Sequence, residues 1–194
     1  MYKPRIIPVL LLDGEGLVKG QKFRNHRYLG DPINAVRIFN DKKVDELIFL
    51  DINTNDNGIN YSLVENIADE CFMPFAVGGG IKSIDEIKKL LRCGAEKVVI
   101  NTSAFKDNYF IKEASNYFGS QSIVVSIDAQ KSLFGNYNVY TNSGETKQGL
   151  DPLEFAKIAE ESGAGEIMIT DISREGSRRG YNLSLIKLIA SNVK

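Results

Sequence analysis

Val77-Gly78-Gly79-Gly80 and Val98-Val99-Ile100-Asn101-Thr102-Ser103 decide the fold of this 194-residue chain. Each stretch is an apolar run that stops in small, amide or hydroxyl-bearing residues, and a helical pattern follows it. Such a run predicts a buried strand, and the residues after it place backbone N–H groups and hydroxyls beside the N-terminus of the next helix. Because helix N-termini and glycine backbones bind phosphate, the two stretches predict a phosphate-binding α/β enzyme scaffold.

The same alternation of apolar runs and amphipathic patterns continues along the whole chain. The predicted strands are Ile6–Leu12, Glu46–Ile52, Pro74–Gly79, Lys97–Asn101, Ser122–Asp128 and Glu166–Asp171. The predicted helices are Asp31–Lys43, Tyr61–Cys71, Ser83–Cys93, Asp107–Phe118, Asp151–Ser162 and Asn182–Asn192. The strands are apolar on both faces, as expected of parallel strands that helices cover on each side.

Six successive βα units predict either a (β/α)8 TIM barrel or a doubly wound sheet. Polar residues after almost every strand favour the barrel, and so does a weak internal repeat, in which Ile6–Leu11 matches Ile123–Asp128. A polar, hairpin-like excursion follows each repeat, at Asp13–Phe23 and at Lys131–Lys147. We therefore expect residues 1–194 to form a single, incomplete TIM-barrel domain, truncated after about six βα units.

Composition excludes several classes of function. A net charge of −1 gives no electrostatic reason to expect nucleic acid or an anionic membrane as a partner. The start Met1–Arg5 carries no signal-peptide pattern, and Cys71 and Cys93 form no metal or redox motif, so we expect a cytoplasmic protein. With His26 as the one histidine, we predict no metal site and no cofactor.

Many short blocks of the chain resemble the cyclase subunit of imidazole glycerol phosphate synthase. They are Arg5-Ile6-Ile7-Pro8, Leu17-Val18-Lys19-Gly20, Asp45-Glu46-Leu47, Phe49-Leu50-Asp51-Ile52, Pro74-Phe75, Val77–Ile81, Ala95–Thr102, Phe118-Gly119-Ser120-Gln121, Ile127-Asp128-Ala129, Gly163-Ala164-Gly165-Glu166-Ile167 and Gly180-Tyr181. The resemblance implies a phosphate-binding (β/α)8 barrel that receives ammonia from a glutaminase subunit in a heterodimer. It also implies a lyase-type reaction on a phosphorylated ribosyl intermediate in histidine biosynthesis.

The chain departs from this family at one catalytic position. The resemblance implies two aspartates, at the ends of the first and fifth strands, that act as general acid and base. Asp128 keeps the second, whereas Leu11 occupies the place of the first, and Asp13 lies two residues beyond it. The loop Asn53–Asn60 also lacks basic residues for a large bis-phosphate substrate. Because loss of a positioned acid or base costs about 10²–10⁴ in rate, we expect impaired or absent cyclisation of the histidine intermediate.

The strand Pro8-Val9-Leu10-Leu11-Leu12 resembles a divergent branch of the family that accompanies surface-polysaccharide genes. That resemblance implies an ammonia-channelling subunit that works with a glutaminase and an N-acetyl sugar amidotransferase to form acetamidino sugars. Two alternatives stay open: the ordinary cyclase of histidine biosynthesis, and a non-catalytic scaffold that activates a glutaminase.

Four charged residues, Arg5, Glu46, Lys97 and Glu166, stand at the starts of predicted strands. These starts meet at the N-terminal face of a barrel, where alternating charges can form a ring of salt bridges that stabilises the fold. The resemblance instead implies that all four form the ammonia gate. It also implies that Glu96 contacts the glutaminase, although a solvated carboxylate at a strand edge is the alternative.

Two phosphate cradles are implied at the opposite face. Gly80, Asn101 and Thr102 would form the first, through backbone N–H groups, the amide and the hydroxyl. Gly176 and Ser177 would form half of the second. Each glycine has a structural alternative, which is a tight turn between strand and helix.

Three further residues are candidates for the chemistry at this face. Asp128 is a candidate general acid or base, or a carboxylate that merely caps the following loop. Asp51 is a candidate substrate ligand. Lys19 is a candidate catalytic residue that contacts a phosphate or the reacting group, and an exposed lysine is its alternative.

Overall fold

The computed structural model describes residues 4–54, 58–132 and 135–194. The strands are β1 Val9–Asp13, β2 Gly16–Gln21, β3 Arg24–Gly30, β4 Leu47–Asp51, β5 Phe75–Gly78, β6 Lys97–Ile100, β7 Ile123–Lys131, β8 Tyr137–Thr141, β9 Thr146–Lys147 and β10 Glu166–Asp171. The helices are α1 Pro32–Lys42, α2 Tyr61–Glu70, α3 Ile84–Arg92, α4 Thr102–Lys106, α5 Asn108–Phe118, α6 Pro152–Glu161 and α7 Leu183–Ala190, with a 3-10 turn at Ser120–Ser122. Residues 55–57 of the predicted loop Asn53–Asn60 lie outside the described ranges.

The chain has the predicted α/β fold with parallel central strands, and it divides into two compact units. Unit one comprises Met1–Lys19 and Arg27–Val99, and unit two comprises Gly20–His26 and Ile100–Lys194. In unit one β1, β4, β5 and β6 run parallel, with Leu11 opposite Leu50 and Leu50 opposite Gly78. In unit two β7 runs parallel to β10, and β8 and β9 extend the sheet antiparallel.

Local sequence explains where most helices begin. Asp31 caps α1 and Asp151 caps α6, and in each case a proline follows at the first helical position. A capping box between Ser83 and Glu86 starts α3. The helices pack apolar faces on the strands, so that Phe49 and Ile87 are fully buried in unit one and Ile127 is fully buried in unit two.

The larger differences from the sequence prediction are at the start of β1, at the end of β7 and at helix α4, while several other bounds shift by one or two residues. β1 begins at Val9 rather than Ile6, because Pro4 and Pro8 offer no N–H for strand pairing. β7 continues to Lys131 because its second half pairs with β8. Helix α4 was not predicted, since its five residues are too few to show a period.

The turns after β4 and β10 are built in a similar way. Asp51 ends β4 and Asp171 ends β10, and the Oδ1 of each accepts the backbone N–H two residues later, at 3.0 and 2.9 Å. The next helices, α2 and α7, are capped by Asn60 and Asn182, whose Oδ1 atoms accept the N–H three residues on. Two similar βα turns therefore occur, one in each unit.

Candidate functional site

Asp128 lies on β7 in unit two and is buried, with 9% of its surface exposed. The Nδ2 of Asn101 donates to Asp128 Oδ2 at 2.9 Å and to the carbonyl of Ser126 at 3.0 Å. Thr170 is opposite Asp128 in the β7–β10 register, and its side chain hydrogen-bonds the same carboxyl. Sequence analysis missed Thr170, although the register of two adjacent parallel strands would have identified it.

Burial raises the pKa of Asp128 from 3.8 to about 7. The hydrogen bonds from Asn101 and Thr170 favour the charged form and lower the pKa, but the desolvation of the carboxylate outweighs them. A carboxyl with a pKa near 7 holds and releases a proton at neutral pH, which suits a general acid or base.

Each residue of the first predicted phosphate cradle makes contacts within its own unit. Asn101 donates both amide protons, to Ser126 and Asp128, and its Oδ1 accepts the Thr102 hydroxyl at 3.4 Å, so no amide proton is left for a ligand. The Thr102 hydroxyl accepts the N–H of Asn142 at 3.1 Å. In unit one Gly80 has φ +64°, and a Cβ there would overlap the Thr54 side chain. These contacts give each residue a structural role, and phosphate binding stays a prediction.

The predicted half of the second cradle is a turn that follows β10. The Ser177 hydroxyl donates to the carbonyl of Arg174 at 2.7 Å. Gly176 has φ +64°, and a Cβ would overlap the carbonyl of Gly20. Position 176 therefore needs glycine so that the β2–β3 turn can pack closely against its backbone. Phosphate binding at Gly176 and Ser177 also stays a prediction.

Glu175 is a polar residue of this turn that sequence analysis did not single out. Its backbone carbonyl accepts the N–H of Lys22 at 3.1 Å, and its Oε2 accepts the N–H of Phe23 at 3.1 Å. Lys22 and Phe23 both have positive φ, a conformation that L-residues rarely adopt. The Glu175 carboxylate therefore stabilises an unfavourable turn. No signal in the sequence marks this contact, since the two partners are 152 residues apart.

Asp51 ends β4 in unit one, beside Asp13 at the end of β1. The Asn53 side chain donates to Asp13 Oδ1 at 3.0 Å, while its backbone N–H donates to Asp51 Oδ1 at 3.0 Å. Burial, aided by the nearby charge of Asp13, raises the pKa of Asp51, and the Asn53 N–H opposes this. Lys19 is exposed on β2. Leu11 pairs with Leu50, so the side chains at this level of β1 and β4 are both apolar.

A buried ion cluster forms where the parallel strands of unit one begin. Glu46 precedes β4, and its side chain is 3% exposed. Lys97, the first residue of β6, donates to both carboxylate oxygens of Glu46 at 2.9 and 2.7 Å. Arg5 donates to Glu46 Oε2 at 3.0 Å from a side chain that is 50% exposed. Two cations of the predicted gate, Arg5 and Lys97, therefore contact its acidic member Glu46.

The two other acidic candidates lie at strand starts as well. Glu96 is exposed and directly precedes β6. Burial raises the pKa of the Cys71 thiol, and the nearby charge of Glu96 raises it further. Glu166 is the first residue of β10, opposite Val124 in unit two. Among the described residues no group of three or more His, Cys, Asp or Glu is arranged to hold a metal ion, and no helix is long and apolar enough to cross a membrane.

Comparison with known proteins gives concordant matches. The family model described as "Histidine biosynthesis protein" matches residues 5–194. The chain is 47% identical over 195 residues to a Pseudomonas aeruginosa protein provisionally named imidazole glycerol phosphate synthase subunit hisF2, a match that covers 100% of this chain and 78% of the relative. A Leptospira interrogans protein provisionally named subunit HisF of the same synthase is 45% identical over 194 residues. This match covers 98% of this chain and 76% of the relative. The imidazole glycerol phosphate synthase subunit HisF of Methanocaldococcus jannaschii is 41% identical over 215 residues. This match covers 100% of this chain and 79% of the relative. The resemblance found in the short sequence blocks is confirmed at the level of the family.

Proposed function

Since this chain belongs to the histidine biosynthesis protein family, we propose that it is the ammonia-receiving synthase subunit of a glutamine amidotransferase complex. The observation that carries the proposal is the buried Glu46, held between Arg5 and Lys97 at the beginnings of parallel strands. In this proposal a glutaminase docks on that face, contacts Glu96 and delivers ammonia to the ion cluster, and Glu166 is the fourth gate residue that the family resemblance implies.

The geometry of the cluster supports a gate with one fixed and one movable side. Lys97 contacts both oxygens of Glu46, and its side chain is only 13% exposed. Arg5 contacts Glu46 from a side chain that is 50% exposed, so its displacement into water costs less than that of the more deeply buried Lys97. Arg5 is therefore the residue that moves aside, while Lys97 keeps the buried carboxylate neutralised.

Ammonia would pass such a gate in its uncharged form. An ammonium ion that leaves water for an apolar interior loses its hydration, which favours release of the proton. Glu46 lies at the entrance, where its oxygens accept hydrogen bonds from Arg5 and Lys97. In unit two Asp128, with its pKa near 7, would exchange protons with the molecule that receives the ammonia.

Leu11 supports an acceptor other than the histidine intermediate. Its apolar pair with Leu50 leaves no carboxylate at that level of β1, so proton transfer would depend on Asp128. We infer an N-acetyl sugar of a surface polysaccharide as the acceptor, converted to an acetamidino sugar with an N-acetyl sugar amidotransferase. Lys19, Asp51, the Gly80–Asn101–Thr102 cradle and the Gly176–Ser177 turn would bind its polar groups.

The cyclase reaction of histidine biosynthesis is the second candidate. The observation that favours it is the buried carboxyl of Asp128, hydrogen-bonded to Asn101 and titrating near neutral pH. Turnover of the unchanged chain with ammonia and the histidine-pathway ribosyl substrate would establish this activity.

The gate is tested by Arg5→Ala in the complex with the glutaminase. We expect ammonia to escape, so that more glutamine is hydrolysed per ammonia incorporated, while the rate with ammonia added to solution is unchanged. Arg37→Ala is the matched control, since Arg37 also forms an ion pair, with Glu70, but on the exposed surface of α1. An unchanged ratio of glutamine hydrolysed to ammonia incorporated in Arg5→Ala would refute the gate.

A further inference from the structure

Unit two contains a polar cavity of about 370 Å³ that the proposed reaction does not use. Its walls come from the β7–β8 hairpin, the turn after β10 and the N-terminus of α7. Lys131, Arg174 and Arg179 supply three cationic groups of the lining, and Asp171, Asn182 and Ser184 supply polar ones.

The cavity lies on the other face of the sheet from Asp128. Side chains alternate between faces along a strand, so Lys131, three residues after Asp128 on β7, points away from it. The same holds for Asp171, because its neighbour Thr170 is the residue that bonds Asp128. Tyr137 is opposite Lys131 in the antiparallel register and shares its face. The cavity is therefore a separate site.

The charge of the cavity is strongly positive. Within the described part of the chain, neither Lys131, Arg174 nor Arg179 forms an ion pair with a carboxylate. The one acid in the lining, Asp171, is occupied by neutral donors. Its Oδ1 accepts from the backbone and hydroxyl of Ser173 at 2.9 and 2.6 Å, and its Oδ2 accepts from Asn182 at 2.6 Å.

The two guanidinium groups are held in place by backbone carbonyls. Arg174 Nη1 donates to the carbonyls of Arg179 and Tyr181, at 3.3 and 3.0 Å. Arg179 Nη2 donates to the carbonyl of Ser173 at 3.2 Å. Each guanidinium has five N–H donors, so several remain for a ligand. Groups oriented before binding lose less entropy when a ligand arrives.

The N-terminus of α7 adds backbone donors to the same cavity. Asn182 caps the helix by accepting the N–H of Leu185 at 3.2 Å. The N–H groups of Leu183 and Ser184 donate to no acceptor among the described residues. Free N–H groups and the positive end of a helix dipole favour an anion.

We propose that this cavity binds the phosphate group of a small phosphorylated molecule. Arg174 and Arg179 donate to its oxygens with the N–H groups they have left, Lys131 supplies a third positive charge, and the amides of Leu183 and Ser184 complete the contacts. The site goes beyond the proposed ammonia transfer, since it lies on the opposite sheet face from the carboxyl that would serve that reaction.

The test is a ¹H–¹⁵N NMR titration of the 194-residue chain with inorganic phosphate and with pyrophosphate. We expect saturable shifts of the Leu183 and Ser184 amides. The double variant Lys131→Gln/Arg179→Gln should weaken the apparent affinity by about tenfold or more, because charge-assisted bonds contribute most of the binding free energy. Arg178→Gln is the control, since this exposed neighbour does not line the cavity and should change the affinity by less than about twofold. The spectra also report whether each variant is folded.

Several outcomes would overturn the proposal. Unmoved Leu183 and Ser184 amides would do so, as would equal affinities in the parent and the double variant. Shifts at the Gly80 and Thr102 amides alone would leave the cradle of the proposed function intact and refute this second site. Tighter binding of a hexaglutamate peptide than of pyrophosphate would assign the cavity to an acidic segment of a protein partner instead.

Discussion

Replacing Asp128 with asparagine should stabilise the chain at neutral pH, and the gain should shrink as the pH falls. The carboxyl is buried on β7, and burial raises its pKa from 3.8 to about 7. Asparagine has nearly the same shape, keeps an oxygen that can accept the bond from Asn101, and carries no charge to desolvate.

The magnitude follows from the difference in proton binding between the folded and unfolded chain. Below about pH 4 the carboxyl is protonated in both states and costs nothing. Between about pH 4 and pH 7 the unfolded chain loses the proton and the folded chain retains it, so stability falls as the pH rises. A shift of roughly three pKa units at about 1.4 kcal/mol each gives a cost of about 4 kcal/mol above pH 7. Asp128→Asn removes this cost.

Urea denaturation measures the effect as a free energy of unfolding at about pH 4.5 and about pH 8. The difference between Asp128→Asn and the parent should grow by at least about 2 kcal/mol between these two conditions. Asp41→Asn, at an exposed carboxyl on α1, is the control and should show little change with pH. If the advantage of Asp128→Asn is the same at both pH values, burial does not raise this pKa and the argument for a proton-exchanging carboxyl is refuted.

Two further predictions concern the ion cluster and β1. Lys97→Met leaves Glu46 buried with Arg5 as the one remaining cation of this group, so we expect a loss of about 3–5 kcal/mol in urea denaturation. Arg5→Ala, at a half-exposed side chain, should cost less than about 1 kcal/mol, and equal losses would contradict the assigned burial. Leu11→Asp should raise cyclase turnover with ammonia and the histidine-pathway ribosyl substrate by about 10²-fold or more over the impaired parent. Leu11→Asn is the matched control, because it has a similar size but no acid–base group. Robust turnover by the parent would instead show that the chain is the histidine cyclase.

The ion cluster shows how far sequence reasoning reached. Charged residues at strand starts predicted that Arg5, Glu46 and Lys97 would meet, because the beginnings of parallel strands share one edge of a sheet. Their unequal burial was not predictable, since it depends on what packs around each side chain. Asn101 stays a predicted phosphate ligand, and the structure adds that both of its amide protons bond Ser126 and Asp128. Residue type identifies a donor, but only the neighbouring strand determines its acceptor.

The sequence by itself determined the alternation of strands and helices, the helix caps and the family. These depend on contacts within a few residues or on patterns that repeat along the chain. The tertiary structure decided the pKa of Asp128, the contact of Glu175 with the β2–β3 turn, and the basic cavity around Lys131, Arg174 and Arg179. Each of these joins residues that are distant along the chain. Desolvation and local charge depend on distances in space, and those distances exist only once the strands are paired.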